Sequence, residues 1–269
     1  MKLIIDSGGT KTDWAIVTES GTDIQIFTTP SDHTDLTYVM PPAVISRKEE
    51  ILEVHMYGAG MYSNQVSKPV QQQISKLLPS ATVHVYSDLL GCCRATAGAE
   101  SAIVCILGTG SNSCVYDGKN IVRQIPALGF VMSDEGSGVN IGRALIKAYL
   151  YGEMDKDTSI QFKQAYGITK SMLLENLQGQ SPAAYLASYA RFPNDHPTPL
   201  AVELVREELS TFVQRRVLSY DDKVTYPVHF VGSIAYFYSS LIKDLCHQAG
   251  LRNGLILQKP INGLITYHK

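Results

Sequence analysis

One supersecondary unit occurs twice in this chain, about a hundred residues apart, and no other feature limits the possible folds as strongly. Near the start, Leu3-Ile4-Ile5 runs into Asp6-Ser7-Gly8-Gly9-Thr10-Lys11-Thr12-Asp13 and then Trp14-Ala15-Ile16-Val17. The second copy runs from Ala102 to Leu107, through Gly108-Thr109-Gly110-Ser111-Asn112, into a strand over 112–116. Each copy is a short buried strand, a turn of Gly and Thr, and a second strand. Two like domains facing one cleft are therefore expected. Glycine lets the backbone approach a phosphate closely, while the turn N–H groups and the Thr hydroxyl donate to it. A single Gly-rich hairpin needs its glycines for backbone angles alone, so the phosphate reading rests on the pair.

Composition narrows the partner. The 269 residues, 45% of them hydrophobic, suffice for one large domain or two of ordinary size. A net charge of -2 with 23 scattered Lys and Arg offers no basic field for nucleic acid or an anionic membrane, so a small-molecule partner is expected. No apolar run approaches the roughly 20 residues of a membrane span, and the N-terminus enters a strand without a signal-peptide layout. A cytoplasmic location is expected. The five cysteines, at 92, 93, 105, 114 and 246, read as reduced core thiols, with a metal or cluster at Cys92-Cys93 as the alternative. No two histidines stand at i, i+4.

Periodicity places strands at 2–5, 12–17, 24–28, 54–58 and 83–87 and helices at about 66–78 and 89–97, an α/β first half. A second series has strands at 102–107, 112–116 and 121–125, then helices at 138–151, 158–166, 170–178, 182–191 and 199–218. A strand at 228–231, a long helix over 234–249 and a strand at 255–258 follow. Domains of residues 1–100 and 101–249 are expected, with 250–269 packing back on the first. The Pro- and Asp-rich stretch 29–47 reads only as loop with some strand.

Several polar residues stand where ligands bind. Asp6 closes the first strand before the Gly turn, where a carboxylate holds Mg²⁺ against a phosphate chain or caps its own turn. Asp88 ends the strand Val83 to Ser87, and ligands sit at strand ends in α/β sheets. Ser87 or Asp88 equally suits a helix N-cap. Asp134 lies in Ser133-Asp134-Glu135-Gly136-Ser137-Gly138, and three glycines over 136–142 fit a backbone that approaches a ligand, with Asp134 free to accept hydrogen bonds from hydroxyls. Gly232-Ser233 joins a strand to a helix, either packing an adenine or making a tight turn.

These five ordered motifs, Asp6 to Thr10, Asp88, Gly108 to Asn112, Asp134 to Gly138 and Val231 to Ser233, resemble the N-acetylglucosamine kinase and BadF/BadG/BcrA/BcrD ATPase family of the actin-like, sugar kinase and Hsp70 ATPase superfamily. The resemblance spans nearly the whole chain. It implies an α/β fold of two duplicated ribonuclease H-like domains with a nucleotide and sugar cleft between them. By the same resemblance, Gly8, Gly9, Thr10 and Lys11, with Gly108, Thr109 and Gly110, bind the ATP phosphates, Asp6 serves Mg²⁺, and Gly232 and Ser233 border the adenosine. Ser111, Asn112, Gly129 and Asp134 hold the sugar, and Asp88 is the catalytic base.

Two departures bear on the sugar. Ala127-Leu128-Gly129 stands where kinases of this branch carry a Gly-Gly-Trp-Gly run, and Asp32 replaces the sugar-binding Asn, losing an amide donor. The resulting expectation is an ATP-dependent kinase of an amino sugar, N-acetylglucosamine at its 6-hydroxyl, with a homodimer as the candidate assembly. The alternatives are an ATPase that activates a partner enzyme through a cluster held between subunits, which only Cys92 and Cys93 favour, and a non-catalytic sugar sensor, which the retention of Asp88 opposes.

Overall fold

The computed structural model describes residues 1–18, 21, 23–31, 39–221, 223 and 225–269. Asp32 lies outside the described residues. The chain divides into two compact units, one of Met1–Glu100, Asp117–Ile121 and Lys259–Lys269, the other of Ser101–Tyr116 and Val122–Gln258. Strand 252–257 belongs to the second sheet, so the segment that returns to the first unit is 259–269 rather than 250–269.

The first unit is built on strands β1 (Lys2–Ser7), β2 (Lys11–Val17), β3 (Ile24–Pro30), β4 (Glu53–Gly58) and β5 (Thr82–Ser87), in the order β3-β2-β1-β4-β5. β1 pairs antiparallel with β2 and parallel with β4, and β4 pairs parallel with β5. Helices α1 (Pro42–Ile45), α2 (Asn64–Leu77) and α3 (Asp88–Thr96) follow the strands. The sheet is covered on both faces, which is why β1 reads as an uninterrupted apolar run. Leu3 and Ile5 pack with Trp14, Val54 and Met56 and with Val70 and Ile74 of α2. Ile4 points the other way, to Ala15, Val17, Tyr57 and the C-terminal residues Ile261, Leu264 and Ile265.

The second unit repeats this plan. Strands β6 (Ser101–Leu107), β7 (Ser111–Asp117), β8 (Ile121–Gln124), β9 (Pro227–Val231) and β10 (Arg252–Leu257) lie in the order β10-β9-β6-β7-β8, the first sheet's order when each strand is matched to its counterpart. Its helices are α4 (Gly129–Met132), α5 (Gly138–Leu150), α6 (Lys156–Tyr166), α7 (Lys170–Leu177), α8 (Pro182–Ser188), α9 (Phe192–Asp195), α10 (Pro199–Phe212), α11 (Ser233–Phe237) and α12 (Ser239–Gln248); α13 (Ile261–Tyr267) belongs to the first unit. Ile103, Cys105 and Leu107 pack against Val139 and Leu145 of α5, Leu209 of α10 and Ile242 of α12. No helix among the described residues is long and apolar enough to cross a membrane.

Three expected elements differ. The helix over 199–218 ends as α10 at Phe212 and continues as a π-turn, Val213–Val217. The helix over 234–249 breaks at Tyr238 (φ -104°, ψ 27°), whose hydroxyl donates to the Ala190 carbonyl at 2.8 Å. β10 begins at Arg252, and a register shift between Asn253 and Ile256 hides its alternation.

Candidate active site

In the first unit the parallel strands β1, β4 and β5 end together. Their register sets Asp6 beside Tyr57, Tyr57 beside Tyr86, and Asp6 opposite Asp13 of β2. The turn between β1 and β2 closes through the Gly8 N–H, which donates to Lys11 O at 3.0 Å. Ser31 braces it, its hydroxyl donating to Gly8 O at 2.7 Å and its N–H to Thr10 O at 3.1 Å. Gly9, Thr10 and Lys11 remain exposed, and no atom of the described residues lies within 4 Å of where a β-carbon on Gly9 would stand. This bare tip fits a phosphate chain laid on the backbone.

Asp88 opens α3, but the cap is Ser87, whose Oγ accepts the Leu90 N–H at 3.3 Å. The Asp88 Oδ1 accepts its neighbour's N–H, Leu89, at 2.8 Å. Burial raises the Asp88 pKa to about 6, against the pull of the Leu89 N–H and its own. A carboxylate so raised is a better base near neutral pH than a solvated one.

Burial, then the charges of Asp13 and Asp88, raise the Asp6 pKa to about 7, and Lys259 opposes them. Lys259 Nζ donates to Asp13 Oδ1 at 2.8 Å, an oxygen that also accepts the Thr28 hydroxyl. Mg²⁺ keeps most of its waters and takes one or two carboxylates, so Asp6, carrying more negative charge around it than its surroundings relieve, fits that ion. No group of three or more His, Cys, Asp or Glu side chains suited to a metal exists among the described residues.

In the second unit the corresponding turn is fixed to α5: Gly108 N–H donates to Gly110 O at 3.0 Å, Gly138 N–H to Gly108 O at 2.8 Å and Val139 N–H to Thr109 O at 3.1 Å. Gly232 has φ 126°, and a β-carbon on it would lie 2.2 Å from Leu107 O and 3.2 Å from Gly108 N. Only glycine allows Gly232-Ser233 to press against the Gly108 turn.

Asp134 adopts a left-handed φ of 69°, and its Oδ1 accepts the Ser111 N–H at 3.2 Å. A β-carbon on Gly110 would stand 3.0 Å from Asp134 Oδ2, so Gly110, Ser111 and Asp134 are gathered at one point. Burial raises the Asp134 pKa while the Ser111 N–H and Arg216 pull it down. The Ser111 hydroxyl is buried and meets no partner among the described residues, as suits a group that would bond a ligand. Asn112 Oδ1 accepts from Ser113 N–H at 2.9 Å and from Gln124 Nε2 at 3.0 Å. Gly129 opens α4 at φ 75° with no atom of the described residues within 4 Å of its missing β-carbon, and the Leu128 N–H donates to Ser133 Oγ at 3.0 Å beside Asp134.

The glycines of 136–142 are required by close packing. A β-carbon on Gly136 would lie 2.8 Å from Phe212 Cβ, one on Gly138 3.1 Å from Ala187 Cβ, and one on Gly142 1.9 Å from Leu186 O. They let α5 and its entry turn pack against α8 and α10. Cys92 and Cys93 are 4% and 0% exposed, in keeping with the expectation of core thiols.

Sequence reasoning overlooked Asp13 and Lys259. A hairpin with four residues between Ser7 and Thr12 puts residues 6 and 13 face to face, so Asp13 was accessible from register; nothing local signals Lys259.

No protein-family model matches this chain, and no curated protein does. Solved structures do. A proposed N-acetylglucosamine kinase from Porphyromonas gingivalis is 35% identical over 100% of this chain and 98% of its own, with a TM-score of 0.94. A proposed N-acetylglucosamine kinase from Chromobacterium violaceum (19% identity, 100% and 98% coverage, TM-score 0.73) and a ROK family glucokinase from Streptomyces griseus (15%, 98% and 97%, 0.54) share the fold. Full-length similarity at 35% identity, over a duplicated sheet with strand-end carboxylates, places the chain by descent as well as by shape. It belongs to the N-acetylglucosamine kinase family of actin-like ATPase-fold proteins.

Proposed function

We propose that this protein transfers the γ-phosphate of ATP to a hydroxyl of an amino sugar, the 6-hydroxyl of N-acetylglucosamine. The observation that carries this reading is the match, end to end at 35% identity, to a protein itself proposed to be an N-acetylglucosamine kinase.

The residues present suit each part of that chemistry. In the first unit the bare Gly8-Gly9-Thr10-Lys11 tip would lie along the phosphates and Asp6 would hold Mg²⁺, which when bound neutralises charge that builds on the phosphoryl oxygens. Asp88 would accept the proton of the attacking hydroxyl, a contribution of about 10²–10⁴-fold, the remainder coming from positioning and charge neutralisation. In the second unit the Gly108-Thr109-Gly110 turn would take phosphate and Gly232-Ser233 would border the adenosine. The Ser111 hydroxyl and Asp134 would meet sugar hydroxyls, with Asn112 and Gly129 beside them.

A panel of hexoses and N-acetylhexosamines in a coupled ADP-release assay tests the proposal. N-acetylglucosamine should give the highest kcat/KM. ADP release that no sugar stimulates would refute it.

A further inference from the structure

Arg216 lies in none of the motifs read from the sequence, yet it touches the proposed sugar-binding loop at both ends. α10 widens after Phe212 into the π-turn Val213–Val217, closed by the Leu218 N–H donating to Val213 O at 2.9 Å. Such turns carry one extra residue and recur at functional sites. Here the side chain of Arg216 is buried at 3% exposure, while that of the adjacent Arg215 is 69% exposed. The Arg216 guanidinium donates to Ile125 O at 3.2 Å and Pro126 O at 2.8 Å, then to Ser133 Oγ and Glu135 Oε2, both at 3.3 Å. Behind it, Ser113 Oγ donates to Arg216 O at 3.4 Å and shares a 2.9 Å hydrogen bond with the Tyr220 hydroxyl, which also accepts the Ile125 N–H at 3.2 Å. Ser113 stands two residues from Ser111 on β7, so the two project to the same face.

We propose that Arg216 is a positioning residue: the π-turn holds segment 125–135 through the guanidinium and β7 through the backbone, and so fixes Asp134 relative to Ser111. Three observations support this. Asp134 keeps a left-handed backbone, a conformation that persists only where its surroundings impose it. The flanking loop has carbonyls at one end and a hydroxyl and carboxylate at the other, a spread that a planar fork of five donors reaches and an ammonium does not. Glu135 compensates the buried charge, so the guanidinium is stable where it stands. That the loop binds sugar rests on the kinase reading; that Arg216 holds the loop does not.

Hydrogen exchange and calorimetry on the full chain test the proposal. Arg216→Lys should speed exchange of the 126–135 amides at least about tenfold and weaken N-acetylglucosamine binding at least about tenfold, the size expected for lost hydrogen bonds to a charged group. Binding of a non-hydrolysable ATP analogue should change by less than about twofold, since none of these contacts reaches the Gly108 turn. Ser133→Ala, which deletes one acceptor and leaves the charge pair in place, should shift both readouts the same way by less. Wild-type exchange in both variants, or equal loss of sugar and nucleotide, would overturn the positioning role. Failure of the wild type to bind any N-acetylhexosamine would instead overturn the kinase reading, with the exchange rates still deciding the role of Arg216.

Discussion

Of the two N-cap candidates that sequence alone left open, Ser87 caps α3 through its hydroxyl, while the Asp88 carboxylate accepts the Leu89 N–H. Asp88→Asn should therefore leave the fold intact and lower turnover at least about 10²-fold, measured as sugar-dependent ADP release. With its pKa raised to about 6 by burial, Asp88 loses its proton-accepting form as pH falls through that value. The kcat/KM of the wild type should decline below about pH 6, with a limb absent from the residual activity of Asp88→Asn. Asp134→Ala should weaken sugar binding by about 1.5–3 kcal/mol in calorimetry and nucleotide binding far less, the worth of hydrogen bonds to a charged acceptor. At this scale, Asp6, Asp88 and Asp134 were legible as candidates because each sits at a strand end or a Gly-rich turn. Lys259 and Arg216 were not, because the partners they meet lie 246 and 81 to 91 residues away.

Among the elements, strands with both faces covered were readable from their apolar runs, as in β1 and β6. β10 was misjudged at its start because Gly254 sits against His229, whose Nδ1 accepts the Leu255 N–H at 2.7 Å, and the resulting irregularity interrupts the alternation. α13 was missed since its apolar positions, Ile261, Leu264 and Ile265, make up a single turn of periodicity. α13 also leads into His268, whose Nε2 meets the Tyr57 hydroxyl at 2.7 Å and whose ring stacks 3.8 Å from His55. Burial, then the charges of His55, Arg94 and Lys2, lowers the His268 pKa from 6.5 to about 3. The unfolded chain thus binds more protons at His268 between those values, so its contribution to stability is present above about pH 6.5 and fades toward pH 3. Asp6 and Asp88, raised in the fold, act in the opposite sense, so a variant must isolate the term. Urea midpoints should show wild type losing more stability than His268→Gln between pH 7 and pH 5; parallel losses would assign acid sensitivity elsewhere. For the α5 contact, Gly142→Ala should cost about 1–3 kcal/mol in urea unfolding, because its β-carbon forces Leu186 O away.

At the level of the whole molecule, one strand order built twice explains why two Gly-Thr turns recur in matching contexts. The first unit is discontinuous, completed by residues 259–269 after the second unit ends. Ile261, Leu264 and Ile265 fill its second face, and burying each contributes about 1.5–3 kcal/mol, together comparable to the stability of a typical domain. A chain ending at Gln258 should lose cooperative unfolding of the first unit in calorimetry, and an unchanged transition would show that α13 is dispensable. The central claim is phosphoryl transfer to a sugar by way of Asp88, and ³¹P NMR of the wild type and Asp88→Asn with Mg²⁺, ATP and N-acetylglucosamine tests it most directly. The wild type should produce a phosphomonoester coupled to the sugar's C6 protons and the variant at least about 10²-fold less per unit time; inorganic phosphate as the only product, or equal yields from both proteins, would contradict the account.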